Sequence, residues 1–267
     1  MFVSAVGYKN SQINNYNNSN QYHIYTKNNT SFQSKENEKP KFSVSKIAGF
    51  VLGLSTIAIG TILFKKWNPK PIKELAQHID FVKADKIEDA IKFAQENLGV
   101  KLEVNGQLKT ANWINESLVN LSNKTKGKVL LPRKIKICKL PKMINGKYNP
   151  FTKTVNLAEY SFGTSFERDF EKVKKIGLLE ERLVTLYHEI GHGIHLSISN
   201  IFNEIFSTPR FKKIVCNNKE KLIQYLGSEY FTRSEGEAFS QIFGKKMAEV
   251  DLPNYVEEIW KKLGGKY

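Results

Sequence analysis

The sequence is poor in cysteine, holding only Cys138 and Cys216 among 267 residues. That excludes a disulfide framework, although a single bridge stays open. Neither thiol has neighbours at metal-ligand spacing, so both read as core residues. Acids are scarce as well: 26 Asp and Glu face 41 Lys and Arg, a net charge of +15. Such a balance suits a solvated basic surface, an anionic membrane surface or a nucleic acid. The signatures that would single out nucleic acid are missing. There is no zinc-finger spacing, no glycine-rich phosphate loop and no RNA-binding motif, and the positive charge is spread along the whole chain. Nucleic acid is therefore not an expected partner. The basic balance reads as a solvated surface, with a membrane-surface role as the next reading. No internal repeat is visible.

The chain has one long uncharged apolar run, at residues 47–64. As a helix it would span roughly 27 Å, close to the bilayer's hydrocarbon core of about 30 Å. Lys46 closes one end, and Lys65, Lys66 and Trp67 close the other, where cations snorkel and indole sits at the headgroups. The expectation is a single-pass transmembrane helix and a membrane location. It does not resemble a cleavable signal peptide, because the preceding region is too long and lysines follow where small residues belong. Lys35, Lys39, Lys41 and Lys46 on one side balance Lys65, Lys66, Lys70 and Lys73 on the other, so orientation is undetermined. Residues 1–46, rich in Asn, Ser, Lys and Gln, read as a disordered polar tail. Residues 65–85 read as a juxtamembrane linker, with Pro69 and Pro71 discouraging helix at its start.

From residue 86 to 267 the chain looks globular. Ile87, Ala90, Ile91 and Ala94 recur at helical spacing, and residues 108–121 form a second helix candidate. Residues 134–138 alternate as a strand does, and so do residues 152–157. Between them, Asn145-Gly146 and Asn149-Pro150 are turn signals. The expected class is α+β, a small sheet ahead of a mostly helical C-terminal part.

The chemistry centres on His188-Glu189-Ile190-Gly191-His192, inside a helix candidate at residues 178–196 whose early turns carry Glu180 and Glu181. Four residues advance a helix by about 400°, so both imidazoles leave one face a turn apart. Two nitrogens can then reach one zinc ion at roughly 2.0–2.1 Å. Glu189 lies about 100° further round, where its carboxylate can approach the water that such a metal activates. This is the zinc-hydrolase pattern, and three of the chain's 5 histidines fall in this helix. Gly191 and Gly193 each weaken a helix by roughly 1 kcal/mol against alanine, which points to close packing of another element.

A third protein ligand is needed. A histidine six residues beyond His192 is excluded, since Ile198 stands there. His195 is a candidate either for ligation or for a supporting contact behind the ligands. Downstream, Ala238, Phe239, Ile242 and Phe243 form an apolar stripe at helical spacing, with Ser234 able to cap its start. Glu237 is the best acid there, and its position also fits a capping-box glutamate. Glu235 is a rival on a different face.

These two segments, His188 to Gly193 and Glu237 to Phe243, together resemble the catalytic domain of the anthrax-lethal-factor-like metallopeptidases, a gluzincin group. The resemblance covers roughly residues 130–250 and implies a zincin-like metallopeptidase domain holding one Zn2+ ion. It implies His188, His192 and Glu237 as metal ligands and Glu189 as the catalytic base. Tyr230 would donate a hydrogen bond or proton to the oxyanion. It also places Gln241 where the family often has a carboxylate orienting a zinc-bound histidine. A glutamine oxygen can accept from imidazole but supplies no charge. The expected activity is a membrane-anchored zinc endopeptidase acting on a peptide or protein substrate. Thr154, Val155 and Asn156 are the candidate sheet edge on which a peptide lies as an added strand, or else part of a core hairpin. The competing expectations are a catalytically weak or inactive metallopeptidase-like membrane interaction protein, and a basic binding protein with a chance motif.

Overall fold

The computed structural model describes residues 78–267. The tail at 1–46, the apolar run at 47–64 and most of the linker at 65–85 lie outside the described residues. Among the described residues no helix is long and apolar enough to cross a membrane.

The described chain is α+β. Helix α1 (Ile87–Asn97) buries Ala90 and Ala94, one turn apart, and carries Glu88 and Asp89 in its first turn, where the helix dipole favours acids. Strand β1 (Lys101–Glu103) leads to α2 (Leu108–Lys124). Glu167 reaches back to cap α2 from a distance, accepting from the backbone N–H of Lys109 at 2.8 Å and of Thr110 at 2.9 Å. That satisfies donors which a helix start leaves unpaired. The part of the expected linker that is described does not run free. The Asn123 amide both accepts from and donates to the backbone of Ile79, and the Asn112 amide does the same with Ala84. Ile79 and Phe81 pack on the core, so the globular body starts ahead of residue 86.

Strands β2 (Lys134–Cys138), β3 (Gly146–Asn149) and β4 (Thr154–Ala158) complete a four-stranded sheet of order β1-β2-β4-β3. β1, β2 and β4 are parallel, and β3 runs antiparallel along β4 at the edge. Ile135, Ile137, Val155 and Leu157 fill the core from β2 and β4. The segment beginning at Asn145-Gly146 is therefore mainly strand, and the turn falls at residues 150–153. Cys138 is only half-buried and Cys216 is exposed; neither is the core residue that sequence reading expected. Both sit at the ends of short elements, away from the packed centre.

The rest is helical. Three short helices, α3 (Glu159–Phe162), α4 (Thr164–Arg168) and α5 (Phe170–Lys175), precede the long α6 (Leu178–Ile198). Then follow α7 (Ile201–Ile205), α8 (Pro209–Val215), α9 (Lys219–Leu226), α10 (Glu235–Met247) and α11 (Asn254–Lys262). α10 lies against α6 so closely that a Cβ at Gly191 would sit 2.9 Å from Ser240 Cα, and one at Gly244 would sit 2.7 Å from the Val184 carbonyl. The other side of α10 stacks Phe239 and Phe243 on Trp260 of α11. Two helices at this separation can bring side chains from both onto one point between them.

Candidate metal centre

α6 carries His188, Glu189 and His192, and the i, i+4 spacing puts both imidazoles toward the end of α10 that holds Glu237. The two Nε2 atoms stand 3.1 Å apart. Glu237 Oε2 is 3.5 Å from His188 Nε2 and 3.8 Å from His192 Nε2. These three residues form the one group of histidine, cysteine or acid side chains found among the described residues with ligand atoms close enough to hold a metal, all within 4.8 Å of one another. Tetrahedral zinc with bonds of about 2.0–2.1 Å would space its ligand atoms by roughly 3.3 Å. The three observed separations bracket that value.

The hydrogen bonds around the cluster also fit a cation. His188 Nδ1 lies 3.0 Å from Gln241 Oε1, and His192 Nδ1 contacts a carboxylate oxygen of Glu204. An acceptor at each Nδ1 makes both of them N–H donors, which leaves the two Nε2 atoms facing each other as the nitrogens free to bind a metal once deprotonated. Glu237 Oε2 is buried with no hydrogen-bond partner of its own. Two imidazole Nε2 atoms and a carboxylate oxygen with no hydrogen bond of its own converge on one point, where a single metal ion would partner all three.

Burial pushes the Glu189 carboxyl above its usual value, against the pull of both imidazoles. Its carboxylate also meets the backbone N–H of Tyr148 on β3. Glu189 and β3 approach so closely that a Cβ at Gly146 would lie 2.6 Å from the carboxylate. Gly193 serves the same approach one turn on, where a Cβ would lie 2.9 Å from the Tyr148 hydroxyl. The helix glycines thus mark close packing: α10 against Gly191 and β3 against Gly193.

Tyr230 stands on the short 3-10 turn Glu229–Thr232, about half exposed, and its hydroxyl donates to Glu237 Oε1 at 2.7 Å. Burial, with the bonded Glu237 carboxylate adding to it, raises the Tyr230 phenol well above its usual value. Glu237 itself is held below the usual carboxylate range: burial opposes ionisation, and the imidazoles and Tyr230 outweigh it. Its backbone N–H is also capped by Ser234 Oγ at 3.1 Å. The capping position and the metal-facing position are therefore the same residue, one by its backbone and the other by its side chain.

Two candidates fall elsewhere. Thr154, Val155 and Asn156 lie on β4, which is paired on one side with β2 and on the other with β3. A strand with both edges occupied cannot take a further one, so the free edge beside α6 is β3 and not residues 154–156. Glu235, the rival acid, is fully buried and paired with Arg210 at 2.9 Å, turned away from the three-residue cluster. His195 is buried behind the three-residue cluster and contacts Glu204 at 2.5 Å. Glu204, which touches both His192 and His195, was missed by sequence reading. It lies on the five-residue α7, too short for a periodic signal.

The chain matches no family model, no curated protein and no solved structure.

Proposed function

We propose that the chain is a zinc-dependent endopeptidase of the gluzincin type, with a zincin-like domain of the lethal-factor-like kind and residues 47–64 as its membrane anchor. One observation carries the reading: His188, His192 and the otherwise unpartnered Glu237 Oε2 converge on a point that suits a single tetrahedral cation. His188, His192 and Glu237 would hold the zinc, which would supply Lewis-acid polarisation of a peptide carbonyl and acidify water near neutral pH.

The chain's own residues do the rest. Glu189 takes a proton from the attacking water and returns it to the leaving amine. Its buried carboxyl, raised in pKa, is suited to carrying that proton both ways. The Tyr230 phenol stays protonated at neutral pH and donates to the oxyanion that develops on the carbonyl. The extended substrate pairs with the free edge of β3, where Gly146 and Tyr148 border Glu189.

The test is metal analysis of the full chain together with Glu189→Gln, scored on a peptide library by mass spectrometry. The expected result is one zinc per chain in both proteins and cleavage by the wild type alone. Wild-type protein that takes up no zinc, or a variant that loses it, overturns the reading. Zinc uptake without cleavage by the wild type favours the inactive interaction protein.

A further inference from the structure

Glu204 does something no motif in the sequence announces. One carboxylate oxygen contacts His192 Nδ1, and the other lies 2.5 Å from His195 Nδ1. His195 is fully buried and sits in the same helix as His192, so Glu204 is clamped between two imidazoles of α6. Behind His195 stands the equally buried Glu235, with 3.8 Å between its Oε1 and His195 Nε2, and Glu235 is in turn held by Arg210. The backbone of Glu204 is fixed too. The Ser234 hydroxyl donates to the Glu204 carbonyl at 2.6 Å and accepts from the Glu237 N–H at 3.1 Å. One hydroxyl thus ties Glu204 to the acid of the metal-facing cluster. Asn200 caps α7 through the N–H groups of Phe202 and Asn203, each at 3.0 Å. Gly236 leaves the room Glu204 needs, since a Cβ there would overlap the carboxylate and lie 2.8 Å from its carbonyl.

The two metal-facing histidines are therefore supported unequally. His188 leans on the neutral amide of Gln241, and His192 on an anion. A carboxylate behind a ligating imidazole fixes the ring and raises its donor strength. We infer that Glu204 is the positioning residue for His192, supplying at this histidine the negative charge that Gln241 does not supply at His188. This rests on the zinc-site reading above, and it adds a fixed anion that sets metal affinity and ligand geometry from outside the ligand set.

The experiment compares the full chain with Glu204→Gln and Glu204→Asp. Zinc affinity is measured by competition with a chromophoric chelator, and cobalt-loaded protein is followed by its visible absorption. The Gln variant keeps the shape and removes the charge; the Asp variant keeps the charge and withdraws it by one methylene. The expected result is zinc bound 10- to 100-fold more weakly in both, with a shifted cobalt spectrum. A merely structural residue would leave that spectrum unmoved in whatever protein remains folded. If the Gln variant fails to fold, the Asp variant alone decides. Wild-type zinc binding with affinity and spectrum unchanged in the variants overturns the Glu204 assignment and leaves the zinc site standing. Wild-type protein that binds no zinc overturns both.

Discussion

His188 Nε2 and His192 Nε2 face each other across 3.1 Å, each imidazole held at its far nitrogen by an acceptor. In the metal-free chain His192 holds a second proton until pH rises through about 9, so its Nε2–H points at His188 Nε2, and the buried Glu237 Oε2 beside the pair has no hydrogen-bond partner. A zinc ion would displace that proton and partner both nitrogens and the carboxylate at once, and an ion that binds only the folded state raises stability by mass action. At a zinc concentration 100-fold above Kd the gain is about 2.7 kcal/mol. For a domain of this size that is a rise of roughly 5–10 °C in Tm. Differential scanning fluorimetry with zinc, and then with a chelator, checks it. An unchanged melting curve would mean that the cluster does not take the ion.

Tyr230 is predicted to act on turnover and not on metal binding. Its hydroxyl touches Glu237 Oε1, whereas Oε2 is the oxygen that faces the imidazoles. Tyr230→Phe should therefore retain zinc and lower kcat by roughly 10²–10³, the usual loss for one oxyanion donor. KM should change little. Equal falls in zinc content and kcat would place Tyr230 in support of the metal site instead.

The contact between Glu204 and His192 should write itself into the pH profile of the metal-free protein. Burial works against ionised Glu204, but hydrogen bonds from His192 and His195 outweigh it and hold the carboxyl at about 2, below the usual 4.5. Burial also works against the His192 cation, and Glu204 outweighs it, raising the imidazole from 6.5 to about 9. A lowered carboxyl stabilises the fold above pH 4.5, and that contribution fades as pH falls toward 2. A raised imidazole stabilises below pH 6.5, and its contribution is lost as pH rises through 9. The Glu204–His192 contact enters both limbs, with His195 adding to the acid one and the charges of Glu189 and Glu237 to the alkaline one. Thermal melts of chelator-treated protein should plateau between these inner limits, and Glu204→Gln should remove the acid limb due to this carboxyl and shrink the alkaline one, where Glu189 and Glu237 still act on His192. Identical profiles for variant and wild type would contradict the pairing.

The residues that sequence reading reached share a local logic. His188, Glu189 and His192 are fixed relative to one another by helix geometry, and the long apolar-faced helices α6 and α10 announce themselves by periodicity. Glu237 was reachable because its helix has a capping serine and a buried stripe. What stayed hidden depends on contacts between distant segments. Asn145-Gly146 carries the composition of a turn, yet Gly146 lies in a strand because it pairs with Leu157 of β4, and Glu189 of α6 leaves no space there for a side chain. Residues 152–157 alternate as an edge strand would, and only the pairing of β3 on their outer side makes β4 an interior strand. Glu204 sits among the exposed Phe202, Ile205 and Phe206 on one short turn of helix. Nothing within that turn indicates that its carboxylate folds back to two histidines of the preceding helix.

Gly193 offers a separate check on how the edge strand meets α6. A methyl group there would come within 2.9 Å of the Tyr148 hydroxyl and 3.0 Å of its ring. Tyr148 is partly buried and its ring packs against the core, which resists its swinging out. Gly193→Ala should relieve the helix by roughly 1 kcal/mol through propensity and cost about 1–3 kcal/mol through overpacking. The balance is a modest destabilisation. The sharper consequence is displacement of β3, which carries the Tyr148 N–H away from the Glu189 carboxylate. Zinc affinity should stay near the wild-type value, because no ligand or ligand support is touched. Peptide cleavage should fall, with KM rising as the substrate-pairing edge shifts. A variant that keeps full activity and KM would show that β3 tolerates the move and does not position Glu189 or the peptide.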